Sequence, residues 1–415
     1  MNNFIKIFLL GSSLFFGGCF EVDTPDKIVA VGGHIVVDLD AATVKKSLLD
    51  DNVPGVSKET TVYGYKAYKI PYLTTDEEGV QVSASGLMVV PTGMPSLVYQ
   101  IGLSLVSDSH ATILADDAAP TVLAQKGADP RSSALIFSSI AGFVTLQADY
   151  IGFGDSRAHY HPFILKKSSV NATIDFIAAA QNFAKENNIK LNGQLFLTGY
   201  SEGGYTALAT LQAIEQAKKI SVTMTAPMAG PYELYPLAKD ILSKPELSAP
   251  SFITNLAYSY AIAHNQPLSS VIQEPYTSQL PDLLGGEYDL LEVNAELTST
   301  TTGENGLFQP LFVSNLLNSS NSWFSKALVD NSVDDWSPKT PVRLLHCQGD
   351  TFIPYQISVD TLNKMNQNGA NDVEIMPVEP LLDLTQKIGH SACGLLAYRL
   401  TAQMFATIRK NTMKY

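Results

Sequence analysis

The sequence predicts an α/β protein with a mostly parallel central sheet, helices on both faces and an inserted, mainly helical cap. Three observations carry that expectation. Apolar strand-like runs alternate with helix-period stretches from Phe143 to Ala226 and again from Pro341 to the C-terminus, the rhythm of βαβ units. The rhythm lapses between Pro231 and Ser337, where short helical patterns such as Phe252 to Ala263 stand among tyrosines and both tryptophans. Between the two, Gln194-Leu-Phe-Leu-Thr-Gly-Tyr-Ser-Glu-Gly-Gly-Tyr-Thr-Ala-Leu-Ala209 runs from an apolar strand through a glycine-flanked serine into an alanine-rich helix.

With 415 residues, 45% apolar and only 16% charged, the chain can bury a large core, as two domains or as one with an insertion. Its 27 basic and 40 acidic side chains give a net charge of −13. No Lys/Arg cluster follows a phosphate backbone, so nucleic acid is not an expected partner. The charge also opposes adsorption to anionic lipid, so membrane residence needs a hydrophobic cause.

The N-terminus offers one. A weakly basic start to Lys6, an apolar run from Ile7 to Phe16 and Gly17-Gly18-Cys19 read as an export signal over residues 1–18, too short to span a bilayer. The small residues before Cys19 resemble a bacterial lipoprotein cleavage box, with Phe16 where an aliphatic residue is usual. Lipidation of Cys19 would anchor the protein to the cell envelope. Phe20 in place of an Asp suggests the outer membrane if the host is Gram-negative, and an ordinary secretory signal is the alternative. Residues 19–57, rich in Asp, Pro and Gly punctuation, are expected to be a tether and lead-in.

The core is expected over 58–230 and 338–415, and the cap over 231–337. In order, Thr61–Ile70 and Val80–Val90 alternate as strands around a Thr75–Gly79 turn. Pro95–Gln100 reads as a further strand, and Leu103–Arg131 as loop with some helix. A helix over Ser132–Ile140 feeds a strand over Phe143–Gln147, and a helix over Pro162–Asn188 precedes the serine segment. A strand follows over Ser221–Ala226. After the cap come a strand over Pro341–Cys347, a helix over Tyr355–Asn368, a strand over Val373–Pro377 and a last helix over Ala392–Lys410.

The chemistry centres on Ser201. A Gly-x-Ser-x-Gly arises readily by chance, but strand before and helix after make Gly199-Tyr-Ser-Glu-Gly203 a nucleophile elbow. A serine hydroxyl needs a base, and the base an orienting carboxylate. Asp350 lies just past the Pro341–Cys347 strand, with Asp383 the nearest substitute. His390 follows the last strand, giving the chain order Ser, Asp, His of the α/β-hydrolase fold. The Glu202 amide, at a helix start beside the nucleophile, is the first oxyanion donor expected. Its side chain reads as a solvent-facing helix-start residue favoured by the helix dipole. Gly102 is a candidate for the second donor, although Ile101 stands where many such enzymes have His. His159 and His161 have the spacing of a metal pair but no completing ligands, so neither metal nor cofactor is expected.

Gly199–Gly204, Ala148-Asp-Tyr-Ile-Gly-Phe-Gly-Asp155 and Gly349-Asp-Thr-Phe-Ile-Pro354 together resemble the secretory lipase family of α/β-hydrolases, the lipase A type. The likeness runs from about Tyr63 to the C-terminus, and the elbow carries Glu where relatives often have Gln. It implies a serine esterase or lipase acting on a small-molecule or lipid ester, a helical cap between the sixth and seventh core strands, and an oxyanion role for Asp149. A peptidase or acyltransferase on the same fold, or an inactive surface-binding lipoprotein, are the rivals. Cys347 and Cys393 flank Asp350 and His390 at similar short distances, which suits a disulfide pinning the two loops or a pair of free core thiols.

Overall fold

The computed structural model describes residues 32–53, 55–127 and 132–412, so the expected export signal over 1–18 and Cys19 lie outside the described residues. Its sheet has nine strands: β1 His34–Leu39, β2 Gly64–Thr75, β3 Gln81–Thr92, β4 Leu103–Ser109, β5 Val144–Ala148, β6 Leu191–Tyr200, β7 Met224–Met228, β8 Val342–His346 and β9 Val373–Pro377. They lie in the order β1-β2-β3-β5-β4-β6-β7-β8-β9. β1, β2, β3 and β5 pair antiparallel. From β5 across β4 to β9 every pairing is parallel.

Helices cover both faces. Buried residues of β4, β5 and β7 leave no solvent-facing side, which is why the parallel strands read as continuous rather than alternating runs. The long helix Lys166–Glu186 and the elbow helix Glu202–Ala217 pack into one apolar cluster, with Phe176, Phe183 and Leu208. The C-terminal helix His390–Thr412 packs on the other side, with Ala397 and Phe405 beside Phe137 and Phe196.

Three expectations are corrected. Part of the 19–57 lead-in is core structure: β1 pairs with β2, and the helix Ala41–Asp50 buries Val44 and Leu48, capped by Asp40 accepting from the Thr43 amide at 2.8 Å. Pro95–Gln100 is not a strand. Residues Ser96–Ile101 form a short helix that leaves Leu97 61% exposed, since Pro95 presets the backbone at its start and Gly102, at φ +107°, ends it. The strand is instead β4, inside the segment read as loop. Its polar residues are buried because they have partners: Ser104 Oγ donates to Gln194 Oε1 at 2.8 Å, and Asp108 Oδ2 accepts from Gln147 Nε2 at 2.7 Å.

Between β7 and β8 the chain builds the helices Leu234–Leu242, Pro250–Ala263, Tyr276–Leu283, Leu290–Glu296, Pro310–Asn318 and Trp323–Asn331. They have no core of their own. Phe252, Leu256 and Phe324 join the cluster that holds Phe163, before the long helix, and Tyr205 of the elbow helix, so the cap is packed on the core through shared apolar contacts.

Candidate active site

The sheet order reverses at β4, whose neighbours are β5 and β6. In open parallel sheets the crevice at such a point, beyond the carboxyl ends of the strands, is where ligands bind. β6 ends there. Its Leu195, Phe196 and Leu197 are buried, and the chain then turns at Ser201 with φ 59° and ψ −118°. Such a conformation costs a non-glycine residue roughly 1–3 kcal/mol and persists only when its surroundings over-determine it. Here the Ser201 amide donates to Met228 O of β7 at 2.9 Å. Close approach of β4 demands the flanking glycines: a Cβ on Gly203 would stand 1.8 Å from Ser109 O, and one on Gly199 2.4 Å from the same oxygen.

His390, the first residue of the C-terminal helix, brings Nε2 to 2.9 Å from Ser201 Oγ and Nδ1 to 2.5 Å from Asp350 Oδ2. A carboxylate only accepts, so Nδ1 carries the hydrogen and Nε2 is left to accept from the serine hydroxyl. The ring sits between Phe352 and Tyr200, at centroid distances of 5.1 and 5.0 Å, and the Tyr200 hydroxyl donates to His390 O at 2.6 Å.

Asp350 is held just as closely. Oδ1 accepts from the amides of Phe352 and Ile353 at 2.9 and 3.0 Å. Oδ2 also faces Nε2 of the fully buried His346 at 3.2 Å. His346 Nε2 lies 2.9 Å from Ile353 O, and Nδ1 2.7 Å from Ser358 Oγ, so Nε2–H donates toward both oxygens while Nδ1 accepts from the serine. Burial alone would raise the Asp350 carboxyl, but the hydrogen bonds from His346 and His390 outweigh it and hold it at about 2. Asp383, the substitute acid, is exposed in a turn.

The loops carrying Asp350 and His390 are tied to each other twice. Cys347 and Cys393 form a disulfide, with Cα atoms 6.0 Å apart. Glu379, 3% exposed, accepts from the amides of Gln348, Gly349 and Ile388 at 2.8, 3.0 and 3.2 Å. Burial works against the charge, but those amides prevail and keep the carboxyl below the usual range.

On the oxyanion side the structure is selective. The Glu202 amide opens the elbow helix and so has no intrahelical acceptor. Asp149 meets this side only through its carbonyl, 3.3 Å from His110 Nε2. Its amide donates to Ser85 O at 3.0 Å, and its carboxylate is consumed by the Thr121 amide and the Thr121 and Ser85 hydroxyls at 2.8, 2.5 and 2.5 Å. Burial pushes that carboxyl up to about 6. Gly102 is corrected too: it precedes β4, at the end away from the elbow, and its amide is spent on Val98 O. The residues that do follow β4 are His110 and Ala111, and His110 O would stand 2.8 Å from a Cβ on Gly203. A histidine thus stands directly after β4, on the elbow side.

The Glu202 side chain is not solvent-facing. It is 1% exposed, and Oε1 lies 3.0 Å from His161 Nε2. His161 Nδ1 lies 2.9 Å from Ile151 O, so both ring nitrogens are engaged within the protein. Among the described residues no group of His, Cys, Asp or Glu has the arrangement of a metal site.

Solved structures share this architecture. A provisional hydrolase of Legionella pneumophila is 21% identical with a TM-score of 0.81, over 93% of this chain and 100% of that one. The chain has the α/β-hydrolase fold. The rice cell wall degrading esterase LipA of Xanthomonas oryzae is 22% identical with a TM-score of 0.74, over 92% of this chain and 97% of that one. Candida antarctica lipase A is 16% identical with a TM-score of 0.64, over 93% and 83%. A model of the prolyl oligopeptidase family matches residues 131–221, the part of the α/β-hydrolase core that ends just beyond the elbow helix. No curated protein sequence matches the chain.

Proposed function

We propose that the chain is a serine hydrolase that cleaves carboxylic esters through an acyl-Ser201 intermediate. The line from Asp350 through His390 to Ser201, at 2.5 and 2.9 Å with the serine on a strained turn, carries this reading. His390 Nε2 takes the hydroxyl proton as Ser201 Oγ attacks the ester carbonyl. The tetrahedral oxyanion collapses, the C–O bond breaks and the imidazolium returns its proton to the leaving alkoxide. Water then gives its proton to His390, attacks the acyl carbon and frees Ser201. Asp350 fixes the tautomer and stabilises the imidazolium.

The Glu202 amide, with the Ala111 amide as its partner, is proposed to receive the oxyanion, each donor contributing about 3 kcal/mol in the transition state. Esters are favoured because two of the similar structures are an esterase and a lipase. The prolyl oligopeptidase match over 131–221 supports a second reading, peptide bonds cleaved by the same residues. A panel of p-nitrophenyl esters, triacylglycerols, phospholipids and peptide amides, run on wild type and Ser201→Ala, separates them. Ester hydrolysis lost by about 10⁴-fold or more in the variant supports the proposal, and hydrolysis confined to peptides overturns it.

We also propose export and lipid attachment at Cys19. The buried cystine suits an oxidising compartment. Radiolabelled fatty acid taken up by wild type but not by Cys19→Ala supports this, and equal labelling overturns it.

A further inference from the structure

Resting on that reading, we propose that His161 and Glu202 form a proton-sharing positioning pair that sets the Glu202 amide for the oxyanion and neutralises the carboxylate behind it. The proton count follows from the partners. Ile151 O can only accept, so His161 Nδ1 bears a hydrogen. That leaves one proton between Nε2 and Glu202 Oε1, 3.0 Å apart. Whether it sits on nitrogen or oxygen, the pair as a whole is neutral.

The pair is shielded from solvent and from other side-chain charges. The His161 and Glu202 side chains are 9% and 2% exposed, and Glu202 Oε2 has no hydrogen-bond partner among the described residues. The titratable groups that feel the carboxylate, Tyr150 and Tyr205, are both pushed well up by burial and stay neutral. Among the described residues no Lys or Arg pairs with it. Among the described side chains His161 is therefore the one that pairs with this carboxylate, which the start of the elbow helix also favours; it lies one residue from the nucleophile, where an uncompensated negative charge would oppose the developing oxyanion.

His161 can hold Glu202 in place because it is gripped itself. Its ring packs on Phe153 at 4.8 Å and lies nearly parallel to Tyr150 at 6.1 Å. A Cβ on Gly152 would stand 2.6 Å from His161 Cα. From the cap helix Pro250–Ala263, Ser259 Oγ donates to His161 O at 3.0 Å and accepts from the Phe163 amide at 3.1 Å. The oxyanion-side end of the elbow helix is thus tied through one side-chain pair to the segment following β5 and to the cap. Donors to an oxyanion act only within a few tenths of an ångström of their proper distance, so the tie should appear in turnover rather than in substrate binding.

The experiment uses the full chain with p-nitrophenyl butyrate and compares His161→Phe, Glu202→Gln and the double variant, with circular dichroism to verify folding. His161→Phe keeps an aromatic ring in an aromatic pocket but leaves the carboxylate unpaired. It is expected to lower kcat about 100-fold with KM within 3-fold. Adding Glu202→Gln removes the charge and is expected to restore kcat at least 10-fold over His161→Phe, a rescue that loss of packing alone would not show. If His161→Phe does not fold, a folded and active double variant carries the same support. A kcat within 3-fold of wild type in His161→Phe, an effect confined to KM, or an inactive double variant overturns the proposal. Labelling of wild type by a fluorophosphonate at Ser201 tests the underlying reading separately, since that label is independent of both substitutions.

Discussion

Cys347 and Cys393 are joined across 46 residues of chain by a disulfide that lies three residues before Asp350 and three after His390. It links the loop that carries Asp350 to the helix that begins with His390, next to the hydrogen bonds that Glu379 accepts from backbone amides. Cross-linking a loop of that length stabilises the fold by about 4 kcal/mol in the chain-entropy account. The double variant Cys347→Ala/Cys393→Ala is expected to lose about that much in urea unfolding under non-reducing conditions. Thiol counting on unreduced protein is expected to find neither of these two cysteines free.

Replacing Glu379 by Gln leaves one acceptor oxygen for three amides and turns an N–H₂ toward the others. Stability at pH 7 is expected to fall by about 2 kcal/mol, the worth of hydrogen bonds to a charged group, and kcat to fall with it. The sign with pH is set by the depressed carboxyl. Its contribution is full above the unfolded value and is lost as pH falls through the folded one. The gap between wild type and variant in urea unfolding is therefore expected to narrow in acid.

Asp350 titrates at about 2, so the carboxylate that orients His390 stays ionised through any ordinary assay pH. Its folded value lies below the unfolded one. It therefore contributes about 2 kcal/mol above pH 4, lost toward pH 2. Asp350→Asn is expected to reduce kcat about 10⁴-fold by offering Nδ1 of His390 the wrong partner. A pH–rate profile of wild type should show no titration of this carboxylate between pH 4 and 8.

Asp175, on the long helix Lys166–Glu186, shows the opposite sign, because burial pushes its carboxyl up to about 6. The folded state binds this proton more tightly, so stability is lost as pH rises from about 4 through 6. Asp175→Asn removes the cost of the buried charge. It is expected to be more stable than wild type by about 2 kcal/mol at pH 8 in urea unfolding, with the gain gone below pH 4.

Much of this molecule is legible in the sequence because it is written locally. The apolar run Leu195–Leu197, the glycines at 199 and 203 and the alanine-rich turn after them determine a strand, a turn and a helix within sixteen residues, and so place Ser201. The order of Ser201, Asp350 and His390, the first two just past a strand and the third at the start of the last helix, comes from the same short-range signals.

What the tertiary structure alone decided lies across strands. β4 went unrecognised because Ser104 and Asp108 look like loop residues until Gln194 and Gln147 meet them. With β4 read as loop, Gly102 stands in for the residues after β4, His110 and Ala111, while Asp149 rests on the family resemblance alone. Glu202 reads as a surface helix start until His161, 41 residues earlier, covers it. Glu379 reads as nothing until the loops of Asp350 and His390 bring three amides to its oxygens. A polar side chain belongs inside a protein only when its partner is there, and that partner is chosen by the packing of distant segments rather than by the neighbours in the chain.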